Sequence, residues 1–221
     1  MIDLYTYRTS NGRKVSIMLE ECSLEYNLHV VDITSQEQDR PTFRALNPNG
    51  RIPVIVDNDG PDGRPLAVFG SGATLLYSAE KADRFLPVDP GGKWGALQWL
   101  FWQVGSVGPN FGQAFHFLHQ YPANTPQVSL EYGRDRYLGE IRRLCMVMDN
   151  RLGKARFLAG AEYSIADIAT FPWIAIHKWL GIDLFNTPHL RRWYDVIRRR
   201  SAVRRGMDVP SRPVPSRQQI A

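Results

Sequence analysis

Four consecutive residues, Thr9-Ser10-Asn11-Gly12, combine hydroxyl and amide donors with the start of a predicted helix. They follow a short strand candidate, Ile2 to Tyr5, and an apolar stripe at helical spacing comes after them. The free backbone N–H groups and the positive dipole end of a helix beginning at Asn11-Gly12 would face this turn. Such a place stabilises a thiolate and lowers its pKa. Ordinary capping of the helix by Ser10 or Asn11 is the alternative.

Two further segments combine a backbone feature with polar chemistry. Arg51-Ile52-Pro53 directly precedes a strand, and a cis Ile52–Pro53 bond would turn backbone groups outward to pair with a bound peptide. A trans proline that merely opens the strand is the alternative. Phe69-Gly70-Ser71-Gly72 marks a passage from strand to helix. The hydroxyl and N–H of Ser71 suit a carboxylate there, or Ser71 simply caps the helix.

The chain has two cysteines, Cys22 and Cys145, which are far apart and form no CxxC motif. Neither a disulfide framework nor a metal site is predicted from them, and a reducing cytosol fits. Both lie on apolar helical stripes and are predicted to be core residues. The turn after the first strand therefore has no cysteine, which a mechanism based on a protein thiolate would need there.

The elements that must position these groups alternate in the first part of the chain. The order is strand, helix, strand, helix, strand, strand, helix, which is the order of the thioredoxin fold. An early strand–helix–strand unit needs a parallel pair, whereas the late hairpin supplies antiparallel strands. The predicted strands are 2–5, 28–33, 53–56 and 66–69, and the predicted helices begin at Asn11, Pro41 and Ser71.

The remainder of the chain has no convincing strand and is predicted to be all helical. One helix contains Trp94 to Val104 and is bent or interrupted by Gly105, Gly108, Pro109 and Gly112; others are predicted over 127–152, from near Ser164 and from Pro188. The predicted organisation is a thioredoxin-like α/β domain (1–82), a linker (83–92), an all-α domain (93–205) and an extended tail (206–221).

Ser164 and Asp167 stand three residues apart at the start of a helix, in a variant of the capping box. We interpret this pair as structural, so its loss is expected to impair folding of the helical domain rather than chemistry.

The formal net charge of +5 weakly favours anionic partners. The arginines near the end of the chain lack a stacking platform or a known DNA-binding motif, so a solvated surface is predicted and no nucleic-acid partner. No apolar run is long enough to span a membrane, and no signal peptide is predicted. The arginines concerned are Arg191, Arg192, Arg198, Arg199, Arg200, Arg204 and Arg205.

Over about residues 1 to 205 the chain resembles cytosolic glutathione transferases. The thioredoxin-like order, Ile52-Pro53, Ser71, the linker and the Ser164-x-x-Asp167 box occur in the family's order and spacing. The resemblance is strongest to the bacterial Nu-class group of glutathione-dependent disulfide-bond oxidoreductases. It is carried by Ile2-Asp3-Leu4-Tyr5, Thr9-Ser10-Asn11-Gly12, Leu97-Gln98-Trp99-Leu100-Phe101-Trp102-Gln103-Val104-Gly105 and Gly108-Pro109.

This resemblance implies that Thr9 and Asn11 face the glutathione sulfur and are the catalytic residues. It implies that Ile52, with Pro53 beside it, holds the cysteinyl backbone of glutathione through its main chain. Tyr5 and Tyr7 are rival hydroxyls, although a packed aromatic is the simpler interpretation of Tyr5.

The same resemblance implies contacts for the two ends of glutathione. Ser71 would bind the γ-glutamyl carboxylate, Arg51 and Gln38 would lie near the glycyl carboxylate, and Arg136 would reach the site from the helical domain. The family places Glu or Asp directly before the serine, to meet the γ-glutamyl amino group, but this chain has Gly70. An ammonium–carboxylate contact at such a site is worth roughly 1–3 kcal/mol, so weaker glutathione binding or a substitute acid is expected.

The implied function is a metal-free, glutathione-dependent enzyme in which the bound thiolate reduces a disulfide or is conjugated to an electrophile. The residues do not separate these two reactions, whereas the Nu-like match favours the disulfide. A catalytically weak binding or regulatory protein of the same fold is the alternative, and Gly70 is the feature that favours it. Family membership further implies a homodimer in the cytoplasm.

Overall fold

The structure, a computed structural model, describes residues 1–211. Its one sheet in this range has strands β1 (Ile2–Thr6), β2 (Tyr26–Val30), β3 (Val54–Asp57) and β4 (Leu66–Phe69). The strand order is β2-β1-β3-β4. β1 runs parallel to β2 and antiparallel to β3, and β3 and β4 form an antiparallel pair. The predicted thioredoxin-like sheet is therefore confirmed.

Helices α1 (Ser10–Cys22), α2 (Pro41–Leu46) and α3 (Ser71–Ala82) accompany this sheet. α1 begins one residue before the predicted start because Thr9, rather than Ser10 or Asn11, is the N-cap: its Oγ1 accepts the Gly12 N–H at 3.0 Å. β2 ends three residues before the predicted end. Asp32 there caps a short 3₁₀ turn, Ile33–Ser35, and accepts the Thr34 N–H at 2.9 Å.

Helices make up the second part of the chain, and the described residues after β4 contain no strand. The π-helical segment Gln103–Val107 connects the first two helices of this part, where the sequence predicted a bend. Pro109 occupies the first turn of the second helix, where a missing N–H breaks no helical hydrogen bond. The helices are α4 (Pro90–Trp102), α5 (Gly108–Phe115), α6 (Gln127–Leu152), α7 (Ile165–Ile174), α8 (Pro188–Arg198) and α9 (Ser201–Met207).

Two predicted non-helical segments differ from the structure. The predicted linker runs to residue 92, but α4 begins at Pro90 because Asp89 caps it, accepting the Gly92 N–H at 2.7 Å. The predicted extended tail begins at residue 206, but Gly206 is buried inside α9. Residues 212–221 of that predicted tail lie outside the described residues.

The helix α1 lies between the sheet and the helical part. Val15 and Leu19 pack with β1, whereas Ile17 and Met18 belong to the large core shared with the helical part. α9 approaches α1 so closely that a Cβ on Gly206 would lie 2.5 Å from the backbone of Ile17. The middle of α1 therefore packs against both parts of the chain.

The capping box at the start of α7 is present as predicted. The Ser164 side chain accepts from the backbone N–H of Asp167, and the Asp167 side chain accepts the backbone N–H of Ser164. Asp167 is fully buried and also accepts the Trp193 Nε1–H at 2.7 Å and the Leu158 N–H at 3.0 Å. One carboxylate thus connects the start of α7, the loop before it and α8.

Several arginines near the end of the chain bind other parts of the protein. Arg200 pairs with Glu21 at 2.8 Å, and Arg205 pairs with Glu20 at 2.6 Å, so both connect α9 or its cap to α1. Arg192 donates to the carbonyl of Leu152 at 2.7 Å. No helix within residues 1–211 combines the length and apolar composition needed to cross a bilayer.

Candidate functional site

A cleft of about 820 Å³ opens between the sheet part and the helical part. The start of α1, the loop before β3 and the β4–α3 turn form one wall, and α4, α5 and α7 contribute to the other. Lys14 and Arg51 are its charged lining residues, with no Asp or Glu among the described ones, so the cleft favours an anionic ligand. It brings together six predicted site residues: Asn11, Arg51, Ile52, Pro53, Gly70 and Ser71.

The three polar residues of the first turn face different ways. Asn11 lines the cleft. Thr9 caps α1 through its oxygen, which leaves its O–H hydrogen available to donate, although Thr9 is not among the lining residues. The Ser10 hydroxyl is buried and donates to the carbonyl of Pro172 in α7 at 3.1 Å. Ser10 therefore connects the two parts of the chain, and Asn11 is the one of the three that lines the cleft.

The rival tyrosines are engaged outside this cleft. The Tyr5 ring stacks on His29 with centroids 4.5 Å apart, as the packed-aromatic interpretation predicted. Tyr7 is half-buried; hydrogen bonds from Thr34 are the main cause of the lowered pKa of the Asp32 carboxyl, and the Tyr7 hydroxyl makes a smaller contribution. Neither tyrosine lines the cleft.

The loop before β3 is shaped by the buried side chain of Asn47. Its Nδ2 donates to the Arg51 carbonyl at 2.6 Å, and its Oδ1 accepts the Asn49 N–H at 3.0 Å. The Ile52–Pro53 bond that follows is cis, the first of the two alternatives for this bond. Asn47 thus positions the backbone of the loop at the cleft, a role that its sequence context did not indicate.

The turn from β4 into α3 places Gly70 and Ser71 at the cleft. Gly70 has φ +83°, a conformation that L residues rarely adopt, and its carbonyl accepts the first helical N–H, from Thr74, at 3.0 Å. A Cβ on Gly70 would meet no atom within 4 Å. A side chain at this position would therefore find space, at a cost of roughly 1–3 kcal/mol in backbone strain, because φ +83° with ψ +119° lies outside the left-handed helical region.

Lys14 is the site residue that the sequence analysis missed. Its side chain is only 2% exposed, yet it lines the cleft, and its Nζ donates to Gln103 Oε1 at 2.7 Å and to Ser71 Oγ at 3.3 Å. Burial lowers the pKa of Lys14 from 10.5 to about 7. Its position four residues before Met18 on the apolar stripe was the available signal, because a lysine at that spacing points inward.

Two more buried donors lie near the inner end of the cleft, one on the lining residue Trp173 and one on Gln103, which is not a lining residue. Gln103 is fully buried, and its Nε2 has no acceptor among the described residues; the same holds for Trp173 Nε1. Both atoms lie within 3.5 Å of where a Cβ on Gly108 would be, so the absence of that side chain leaves them close together. The Lys14 Nζ lies 5.9 Å from the Trp173 ring centroid.

Comparison with known sequences identifies the family. Sequence models described as the glutathione S-transferase N-terminal and C-terminal domains match residues 10–81 and 100–201. Disulfide-bond oxidoreductase YfcG from Escherichia coli K12 is 45% identical over 91% of this chain and 92% of its own length. The chain belongs to the glutathione transferase family. Disulfide-bond oxidoreductase YghU from the same organism is 36% identical to this member over 99% of the chain and 78% of its own length.

Solved glutathione transferases share the fold of this family member. A crystal structure from Burkholderia graminis with two glutathione molecules bound per subunit has a TM-score of 0.89 at 40% identity, covering 96% of this chain and 89% of its own. One from Pseudomonas putida with one glutathione disulfide bound per subunit has a TM-score of 0.87 at 38% identity, covering 95% and 91%.

Gln38 and Arg136, which the resemblance assigned to glutathione, are not among the residues that line the cleft of this transferase. Gln38 is buried, and its Nε2 donates to Asp39 at 3.3 Å while its Oε1 has no donor among the described residues. Arg136 is exposed on α6; the pKa of Glu140 is lowered mainly by its hydrogen bond from Arg143, and the charge of Arg136 makes a smaller contribution. Neither residue lines the cleft.

Both cysteines of this transferase are buried and free. Burial raises the pKa of Cys22 to about 11 and that of Cys145 to about 12, so both remain thiols at neutral pH. They are core residues, as predicted, and no group of residues within 1–211 has the composition and placement of a metal site.

Proposed function

We propose that this protein is an enzyme that binds glutathione in the cleft and uses the glutathione thiolate to reduce disulfides or to attack electrophiles. The observation that carries the proposal is the cleft itself: Asn11 at the start of α1 and Ser71 at the start of α3 face one cavity whose charged lining residues are cationic. Ligands named in the structures of relatives, glutathione and glutathione disulfide, support it.

In the proposed geometry, the sulfur of glutathione lies over the amino-terminal turn of α1. The Asn11 amide and the Thr9 hydroxyl donate to it, and the positive end of the helix lowers the pKa of the thiol. The γ-glutamyl carboxylate binds at Ser71 and Lys14, the cysteinyl backbone pairs with Ile52, and Arg51 attracts the glycyl carboxylate. Because Cys22 and Cys145 are buried thiols, the reacting sulfur is supplied by the ligand.

Disulfide reduction then proceeds by two exchange steps. The glutathione thiolate attacks one sulfur of the disulfide, forms a mixed disulfide with it and releases the other sulfur as a thiolate. A second glutathione thiolate attacks the mixed disulfide at the glutathione sulfur, which yields glutathione disulfide and the second product thiolate. The two glutathione molecules per subunit in the Burkholderia graminis relative support room for both reactants.

The test measures turnover and glutathione binding separately in Thr9→Ala, Asn11→Ala and the double variant. We expect turnover of a small aliphatic disulfide to fall at least tenfold in the double variant, whereas the dissociation constant for glutathione changes less than threefold. Ser10→Ala is the matched control, because its hydroxyl binds Pro172 rather than facing the cleft. Undiminished turnover in the double variant would overturn the assigned roles.

A catalytically weak binding or regulatory protein is the second candidate, and Gly70 favours it because it offers no acid to the γ-glutamyl amino group. Calorimetric titration with reduced and oxidised glutathione, together with turnover of a disulfide and of an aryl halide, separates the candidates. Binding without turnover of either substrate supports the regulatory function.

We further propose a homodimer in a reducing cytoplasm. Phe69, Phe101 and Val104 are large apolar side chains exposed on the subunit, at the end of β4 and on the α4 side of the cleft, and a partner subunit would cover them. The two free cysteines fit a reducing compartment. Light scattering of the purified protein tests the dimer, and cell fractionation tests the location.

A further inference from the structure

The inner end of the cleft has more hydrogen-bond donors than acceptors. The Lys14 ammonium has three N–H bonds, and the structure provides two acceptors for them, Ser71 Oγ and Gln103 Oε1. Trp173 Nε1, on a lining residue, and Gln103 Nε2, on a residue behind the lining, are buried donors for which the described residues provide no acceptor. Buried polar groups are nearly always paired, so this donor set matches a ligand that brings acceptors, above all a carboxylate.

An ammonium group of a ligand would find no acidic side chain to pair with at the same end of the cleft. Gly70 contributes no side chain at the position where a carboxylate would pair with it, and no lining residue within the described chain is acidic. A ligand ammonium would instead lie near Lys14, which the bound carboxylate beside it keeps protonated, and like charges in a poorly solvated site repel. This end of the cleft thus suits the carboxylate of an amino acid end group but not the ammonium beside it.

We propose that Lys14 together with Gly70 makes this end of the cleft selective for a carboxylate without a neighbouring ammonium. The inference rests on the proposed function and names its substrate class: glutathione-like thiols whose γ-glutamyl amino group is absent or acylated. The probe is glutaryl-cysteinyl-glycine, which is glutathione without that amino group.

The decisive measurement is the ratio of two dissociation constants for the wild-type protein. Calorimetry with the S-methyl derivatives of glutathione and of the des-amino analogue avoids oxidation of either ligand. We expect the des-amino ligand to bind at least as tightly as the glutathione derivative, and up to tenfold more tightly. Tenfold weaker binding of the des-amino ligand overturns the inference.

Position 70 provides a matched pair of variants. Gly70→Glu and Gly70→Gln impose the same strain at φ +83° and the same bulk, and they differ only in charge. We expect Gly70→Glu to prefer the glutathione derivative at least tenfold over the des-amino ligand, whereas Gly70→Gln keeps the wild-type order. Equal ratios in the two variants contradict the proposal, provided that thermal melting shows both to be folded.

Lys14→Met tests the other member of the pair and does not depend on the strained turn. We expect both ligands to bind more weakly and the advantage of the des-amino ligand to disappear. An unchanged ratio in Lys14→Met contradicts the role of the lysine. If glutathione itself does not bind the wild type at millimolar concentration, the proposed function fails as well. Tight glutathione binding with poor binding of the des-amino ligand removes this inference alone.

Discussion

Two buried charged side chains, Asp167 and Lys14, have opposite surroundings. The Asp167 carboxylate accepts from the backbone of Leu158, the backbone and hydroxyl of Ser164, and the indole of Trp193, at 2.7 to 3.2 Å. The Lys14 ammonium contacts two neutral acceptors and lies beside donors that have no acceptor in the described chain.

The difference separates a scaffold group from a binding group. Asp167 uses its acceptor capacity inside the protein, so it has little left for a ligand, and it belongs to the folding of the helical part. Lys14 lines a cleft and is incompletely paired, so under the proposed function a ligand carboxylate would complete its hydrogen bonds. A buried charged group therefore indicates a ligand site when the protein itself does not complete the hydrogen bonds of that group.

Removal of the scaffold carboxylate should have the largest effect on stability. Asp167→Ala leaves buried donors of Leu158, Ser164 and Trp193 unpaired, so we expect the free energy of unfolding to fall by at least about 3 kcal/mol. Urea denaturation measures it. Asp195→Ala, which removes an exposed pair with Arg198, is the control and should cost no more than about 1 kcal/mol. Similar losses in both variants would contradict the assignment.

The binding lysine should show its effect in the pH dependence of stability. Burial is the cause of its lowered pKa, and the side chains around it, Ser71, Gln103 and Trp173, are uncharged. Between about pH 7 and 10.5 the unfolded protein holds the proton that the folded protein has released, so stability rises with pH in this window. The slope attributable to Lys14 is at most about 1.4 kcal/mol per pH unit.

Lys14→Met should therefore be more stable than the wild type at pH 6, with the advantage shrinking from pH 7 to 9. Denaturation of both proteins across this range, without ligand, gives the difference. Lys178→Met changes an exposed lysine and should show no such trend. A stability difference that does not change with pH would contradict the lowered pKa.

The smallest effect is expected at the hydroxyl of the capping box. Ser164→Ala removes the cap of α7 but leaves Asp167 with its backbone and indole donors, so we expect a loss of about 1 kcal/mol. Urea denaturation beside Asp167→Ala gives the comparison, and turnover per folded molecule should be unchanged. A loss as large as that of Asp167→Ala would mean that the hydroxyl, not the carboxylate, organises this region.

The capping box and the sheet order could be predicted because their signals are local. Ser164 and Asp167 are three residues apart, and each strand is bounded by its own turn residues. Lys14 could not be recognised in the same way, because its acceptor Gln103 is 89 residues away. The contact of Ser10 with Pro172 could not be predicted either, because the two residues are 162 positions apart. The sequence therefore left open which polar residue of the first turn lines the cleft.

The short helix α9 was not predicted, because tertiary contacts rather than its composition hold it in place. α9 contains three polar or charged residues among seven, and its position depends on Gly206 fitting against the backbone of Ile17. No period in the sequence indicates such an approach. The resemblance to the family gave the cleft its expected ligand, whereas the position of Lys14 in the cleft came from the structure.

The contact between Gly206 and α1 also constrains how the protein is made. Ser16 donates to the Gly206 carbonyl at 2.7 Å across a separation of 190 residues, so the helix that carries Asn11 and Lys14 is completed by a segment translated much later. While the nascent chain is on the ribosome, the sheet part has emerged but one face of its first helix is uncovered. A chain in which residue 206 has not yet emerged therefore lacks the contact that covers this face of α1.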